Sequence, residues 1–149
     1  MSMQRESVAI ELLIPHQGAM CLWQRVLDHD DHNVRVATDG HRAGDHPLRS
    51  DDMLRAIHLC EYGAQAMAVH GGLLGRARGG AVKAGMLVAL RGVQLHVARI
   101  DDLDGELVGE AKLLMDSDSS QQYGFRILHA GEVIAEGRAA VMLGATNEE

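Results

Sequence analysis

Residues 51–76 read DDMLRAIHLCEYGAQAMAVHGGLLGR, and this stretch decides the fold. Met53, Leu54, Ile57, Cys60, Ala64, Met67, Ala68 and Leu74 recur at steps of three and four, the period of one helix face. Gly63, Ala64, Ala66, Ala68 and Val69 leave the middle small and apolar nearly all round. The pattern predicts a long helix wrapped by other structure rather than laid on a surface. Ser50 is the expected cap, with Asp51 and Asp52 in the first turn, where the positive helix end favours acids. Gly71, Gly72 and Gly75 are expected to end the helix. His58, Glu61 and Gln65 share one polar stripe. Polar groups on a buried helix need partners or a task.

The chain has 149 residues, a length that suits one domain spanning residues 1–149. Its 14 Lys+Arg against 21 Asp+Glu give a formal charge of −7, which argues against a nucleic-acid binder with a broad basic footprint. Aromatic residues are only 3% of the chain, so the core must be built from Leu, Val, Ala and Met. Cys21 and Cys60 are the two cysteines and form no CxxC, so reduced thiols in a cytoplasm are expected. The first residues, MSMQRESVAIELL, lack the long apolar core of a signal peptide, and no apolar run reaches membrane-spanning length.

Outward from the helix, residues 8–14 read as one or two helical turns stopped by Pro15, and residues 16–18 as a loop. Residues 20–27 read as a strand and residues 34–38 as its hairpin partner across the turn at 28–33. Residues 39–50 form a Gly-, Asp- and His-rich loop. After a Gly-rich connection, four strand-like runs follow, marked by Leu87 to Val97, Leu107 to Met115, Tyr123 to Ile127 and Val133 to Leu143. Short links between successive runs imply antiparallel neighbours. The fold class is therefore α+β: a hairpin, a buried helix, then an antiparallel run curved around it.

This layout resembles the hotdog fold, in which a curved antiparallel sheet wraps a long central helix. Leu13-Ile14-Pro15-His16 with Met20-Cys21-Leu22 and Arg25-Val26 is similar to the opening of the 3-hydroxyacyl-carrier-protein dehydratases. Gly44-Asp45-His46-Pro47 resembles their active-site loop, Glu61-Tyr62-Gly63-Ala64-Gln65 their helix signature, and Gly137-Arg138-Ala139 their last strand. The fuller helix pattern looks closest to dehydratase-like proteins of aryl polyene clusters. The chain departs from the family in three places. The interval from His46 to Glu61 is one residue longer, Arg55 and Ala56 replace a Pro-Gly pair at the helix entrance, and Pro47 replaces an aromatic residue.

The resemblance implies dehydration of a 3-hydroxyacyl thioester, carried on the phosphopantetheine of an acyl carrier protein, to the trans-2-enoyl thioester, with no further cofactor and no metal. It belongs to fatty-acid or polyketide-like synthesis. His46 is the expected base, because imidazole titrates near neutrality. Glu61 is the expected acid, provided burial lets it hold a proton. The resemblance places the two in one site across a dimer interface, with the same chain or with a paralogue. Backbone amides around Ala56, Ile57 and His58 are candidates to hold the enolate oxygen, and Gln65 to orient Glu61. Arg76, Arg78 and Lys83 are candidates to meet the acidic carrier protein. Cys60 reads as packing rather than as a nucleophile, and the Asp28-to-His32 cluster as a solvated turn rather than a metal site. Two other readings stay open: a hotdog thioesterase using the helix acid, or a non-catalytic partner subunit of a heteromeric dehydratase.

Overall fold

The computed structural model describes residues 10–14, 18–79 and 85–144. Six strands form one antiparallel sheet: β1 (Arg25–His29), β2 (Asn33–Thr38), β3 (Gly85–Leu95), β4 (Leu107–Asp116), β5 (Ser120–His129) and β6 (Glu132–Leu143). The spatial order is β1-β2-β4-β5-β6-β3. The helix α1 (Leu59–Ala77) lies against the sheet, chiefly on β2, β4 and β5. This is the α+β layout expected from the sequence. Residues 15–17, 80–84 and 145–149, with the Pro15 stop, His16 and Lys83, lie outside the described residues.

Alternation drives the sheet. In β4, Leu107, Gly109, Ala111 and Leu113 face inward, and in β5, Gln121, Tyr123, Phe125 and Ile127 do so. On β2, Val34 and Val36 pair with Ala111 and Gly109 and are fully buried. These side chains meet Leu59, Tyr62, Ala66, Met67, Val69 and Leu73 of the helix in one core. β3 differs: Met86, Leu87, Val88, Leu90 and Leu95 remain exposed on an edge strand that, among the described residues, pairs with β6 alone.

Three local expectations change. Residues 20–24 are not strand: Gly18–Met20 is a 3-10 turn, and β1 begins at Arg25. The helix does not start at Ser50. Asp51 and Asp52 take φ of 52° and 60°, and Ser50 and Met53 exchange backbone hydrogen bonds across them. That is a turn with two left-handed central residues, a conformation Asp tolerates. Residues 54–56 then run extended against 98–101: the Ala56 amide donates to the Ala98 carbonyl, and the Ile100 amide to the Leu54 carbonyl. The Leu54 amide donates to the Asp101 carboxylate, which the Arg99 guanidinium holds well below the usual carboxylate range. A 3-10 turn, Ala56–His58, leads into α1. Acids favoured by a helix start are also favoured by such a turn, and the 98–101 pairing decided between them.

The glycines do not stop α1 either. The helix runs through Gly71, Gly72 and Gly75 to Ala77. A Cβ at Gly72 would lie 2.6 Å from the Leu13 carbonyl oxygen, and one at Gly63 2.5 Å from the Phe125 ring. These glycines let neighbouring segments approach the helix closely. At Gly71 nothing lies within 4 Å.

The contrast predicts opposite signs for one chemical change. Gly63→Ala forces the Phe125 ring aside and should destabilise by about 1–3 kcal/mol. Gly71→Ala has room and should be neutral or stabilise by about 0.5–1 kcal/mol. Urea unfolding of both variants checks this; equal effects would contradict the packing described.

Candidate active site

The loop between β2 and the helix entrance presents His46. Its backbone amide donates to the Ala43 carbonyl at 3.1 Å, and the Arg49 amide donates to the His46 carbonyl at 3.1 Å, so residues 43–49 form two consecutive turns. The imidazole is buried at 8% exposure rather than solvated. Both ring nitrogens are engaged. The Leu48 amide donates to Nδ1 at 3.1 Å, and Nε2 lies 3.0 Å from the Tyr62 hydroxyl. An acceptor at Nδ1 places the neutral ring's proton on Nε2, so Nε2–H donates to the Tyr62 Oη. The two rings lie at 26° with centroids 6.2 Å apart. Burial, followed by the charges of His58, Arg49 and His41, pushes the His46 pKa down from its ordinary value. Burial and hydrogen bonding thus both favour the neutral ring.

Tyr62 itself is fixed from the other side. Trp23 packs edge-on against it at 5.3 Å, and the Trp23 Nε1–H donates to the Tyr62 carbonyl at 2.8 Å. The sequence reading assigned no task to Tyr62. The signal was present: a tyrosine on a helix wrapped by other structure must find a partner for its hydroxyl.

Glu61, next along the helix, is half-buried, and Gln65 braces it. The Gln65 Nε2 donates to Glu61 Oε2 at 3.0 Å and to the Met20 carbonyl at 2.7 Å. Its Oε1 accepts the Leu22 amide at 2.9 Å. Gln65 is fully buried, so one side chain both pins residues 20–22 to the helix and orients the Glu61 carboxyl group.

The remaining candidates divide. Ala56 is buried, Ile57 is 58% exposed and His58 is half-buried. The Ala56 amide is engaged by Ala98 and the His58 amide by the Arg55 carbonyl, so these two are not open to a substrate oxygen in this conformation. Arg76 and Arg78 are exposed at the end of α1, and Arg78 lies 3.4 Å from Asp116. Burial pushes the Cys60 thiol up, away from nucleophile behaviour. In the β1–β2 turn, the Asp30 carboxylate accepts from the His32 and Asn33 amides, a turn-capping task. Among the described residues, no group of three His, Cys, Asp or Glu is placed to hold a metal ion.

Two further histidines are buried. The His70 Nε2–H donates to the Asp30 carbonyl at 3.1 Å, and its Nδ1 accepts from Tyr123 at 2.7 Å. The His41 Nε2–H donates to the Leu103 carbonyl at 2.9 Å. Burial lowers the pKa of both. His41, His46 and His70 therefore bind protons less readily in the fold than the usual 6.5 of the unfolded chain. Their contribution to stability is present above that value and is lost as pH falls through the folded pKa. The loss is up to about 1.4 kcal/mol per pH unit for each ring. The urea midpoint should drop between about pH 7.5 and about pH 5.5; a flat or rising midpoint would contradict the neutral assignments.

Comparison with known proteins adds an independent line. No curated protein matches the chain. Among solved structures it is similar to the dehydratase heterocomplex ApeI:P from Xenorhabdus doucetiae, at 24% identity over 93% of each chain with a TM-score of 0.83. It is also similar to a hypothetical thioesterase protein with coenzyme A from Streptococcus pneumoniae. That match has 12% identity, covers 83% of this chain and 87% of that one, and has a TM-score of 0.61. AziG from S. sahachiroi matches at 12% identity over 79% of this chain and 88% of that one, with a TM-score of 0.58. These likenesses establish the hotdog fold. No helix among the described residues is long and apolar enough to cross a membrane. The family model described as ApeP dehydratase matches residues 8–148, nearly the whole chain; the chain belongs to the ApeP-like dehydratase family.

Proposed function

We propose that this protein dehydrates a 3-hydroxyacyl thioester, carried by an acyl carrier protein, to the trans-2-enoyl thioester, with His46 as base and Glu61 as acid. The observation that carries the reading is the paired preparation of the two groups by one helix. Adjacent residues, Tyr62 and Glu61, respectively hold the imidazole and supply the carboxyl group braced by Gln65. A neutral imidazole retains a lone pair for the α-proton. That lone pair is on Nδ1, shared with the Leu48 amide, and freeing it forgoes a hydrogen bond worth about 1 kcal/mol net. The proton then leaves the α-carbon for His46, the electron pair moves toward the thioester oxygen, and the β-hydroxyl takes a proton from Glu61 and departs as water. Ala56, Ile57 and His58 line the approach at the head of α1. Arg76 and Arg78 offer an exposed basic end suited to an acidic carrier.

The site is read as shared between two chains. Ala64, Ala68 and Gly75 form, beside Glu61, a partly exposed line along α1 whose small residues would accept a second helix. The apolar β3 edge would be covered by a neighbouring sheet. The likeness to ApeI:P, itself a heterocomplex, supports a paralogue as that neighbour. Sedimentation of a folded monomer at micromolar concentration contradicts the pairing. The engagement of both His46 nitrogens within the chain favours, as a second reading, a non-catalytic partner subunit.

Product analysis with a 3-hydroxyacyl thioester separates the readings. The assembled protein should give enoyl thioester, and His46→Ala and Glu61→Gln should each lower the rate by about two to four orders of magnitude. Free acid instead of enoyl product points to a thioesterase. Binding without turnover points to the non-catalytic subunit.

A further inference from the structure

The face of the sheet turned away from α1 carries charge in two adjacent rows that differ in kind. In one, Asp28, Arg35, Glu110, Arg126 and Glu136 follow one another in register across β1, β2, β4, β5 and β6, so acid and base alternate. The Arg126 guanidinium lies 2.7 Å from Glu110, and the Arg35 guanidinium 3.0 Å from Asp28. In the next row, Lys112 of β4, Gly124 of β5, Arg138 of β6 and Arg91 of β3 are register partners, and no acid stands among them. Among the described residues, these three cations make no ion pair. Acids outnumber bases in the chain by 21 to 14, so the row is not part of a generally basic surface. Arg91 and Arg138 are directly opposed, and like charges so placed destabilise a sheet.

The same row has room. Gly124 puts no side chain between Lys112 and Arg138, and a Cβ there would meet only Leu114, at 3.6 Å. Gly92, at a φ of 61°, follows Arg91 in a bulge of the edge strand. These residues line an open depression of about 870 Å³. The exposed side chains of Leu114, Met115 and Met142 continue the same face beyond Lys112 and Arg138.

We propose that this row is a docking surface for an acidic amphipathic helix of a partner protein. Lys112, Arg138 and Arg91 supply the charge complement, and the flexible methionines beside them suit the apolar flank of such a helix. The spacing favours a helix. Arg91 and Arg138 stand one strand interval apart and Arg138 and Lys112 two, at about 4.8 Å for each interval. A helix face repeats every ~5.4 Å, whereas same-face side chains of an extended peptide repeat at ~6.6–6.8 Å. The hollow at Gly124 favours a helix over a bilayer, whose flat surface cannot follow it. Glu110 and Glu136 beside the row, with the formal charge of −7, disfavour the continuous phosphates of a nucleic acid. The inference needs neither the dehydratase reading nor its site residues.

The test uses the full chain in its assembled form and two readouts. In the first, calorimetry at low salt uses an alanine-based helical peptide of about 15 residues, with Glu at i, i+4 and i+11 and leucines along one flank, and its Gln counterpart. Wild type should bind the Glu peptide at least about tenfold tighter. Arg138→Gln should remove most of that preference. Arg42→Gln makes the same change of net charge beside Asp104, away from the row, and should keep it. In the second, urea unfolding of Arg138→Glu, which sets an acid opposite Arg91, should give a midpoint above wild type, the reverse of the usual effect of a substitution. No preference in wild type, equal losses in Arg138→Gln and Arg42→Gln, or an Arg138→Glu midpoint at or below wild type overturns the inference. So does tighter binding of phosphatidylglycerol vesicles than of the Glu peptide through Arg138, which would assign the row to a lipid surface.

Discussion

A helix enclosed by a sheet must satisfy every polar group it takes inside, and the arrangement of this protein follows from that constraint. Between Leu59 and Ala77, Tyr62, Gln65 and His70 are essentially excluded from solvent. Each ties the helix to a different part of the chain: Tyr62 to the His46 loop, Gln65 to residues 20–22, and His70 to Tyr123 and the β1–β2 turn. An unpaired buried amide or hydroxyl would cost about 1–3 kcal/mol, so these links also specify which segments may lie where. The small residues between them let those segments come close.

The proposed chemistry draws on the same links. Tyr62 and the Leu48 amide force the His46 ring into one tautomer, and burial keeps it neutral. Gln65, while anchoring residues 20–22, brings an amide donor to Glu61. The imidazole and the carboxyl group proposed as base and acid are thus oriented from neighbouring positions of one helix. The exposed apolar β3 edge follows from the same arrangement, since a sheet that curls around one helix leaves an edge strand open.

Much of this was legible in the sequence. The three-and-four spacing from Cys60 to Leu74 marked the wrapped helix, while its extension back to Met53, Leu54 and Ile57 fell on the turn and extended entrance; alternation in residues 107–143 marked the last three strands, and the adjacency of Gln65 and Glu61 on one stripe anticipated their contact. What failed to show did so for physical reasons. Ser50-Asp51-Asp52 suits a helix start and a left-handed turn equally, and only the pairing of residues 54–56 with 98–101 chose. Gly71, Gly72 and Gly75 resemble a stop signal, but close approach of Leu13 to Gly72 is a tertiary fact. The orientation of His46 depends on Tyr62, sixteen positions away, and on the Leu48 amide, neither of which a loop motif encodes.

The neutral, singly oriented His46 ring is the claim on which the rest of the account turns, and nitrogen-15 spectroscopy of that ring tests it directly. The account predicts a protonated Nε2, an unprotonated hydrogen-bonded Nδ1, and a titration midpoint below the usual 6.5. A ring that carries its proton on Nδ1, or one that becomes imidazolium at or above that value, would contradict it.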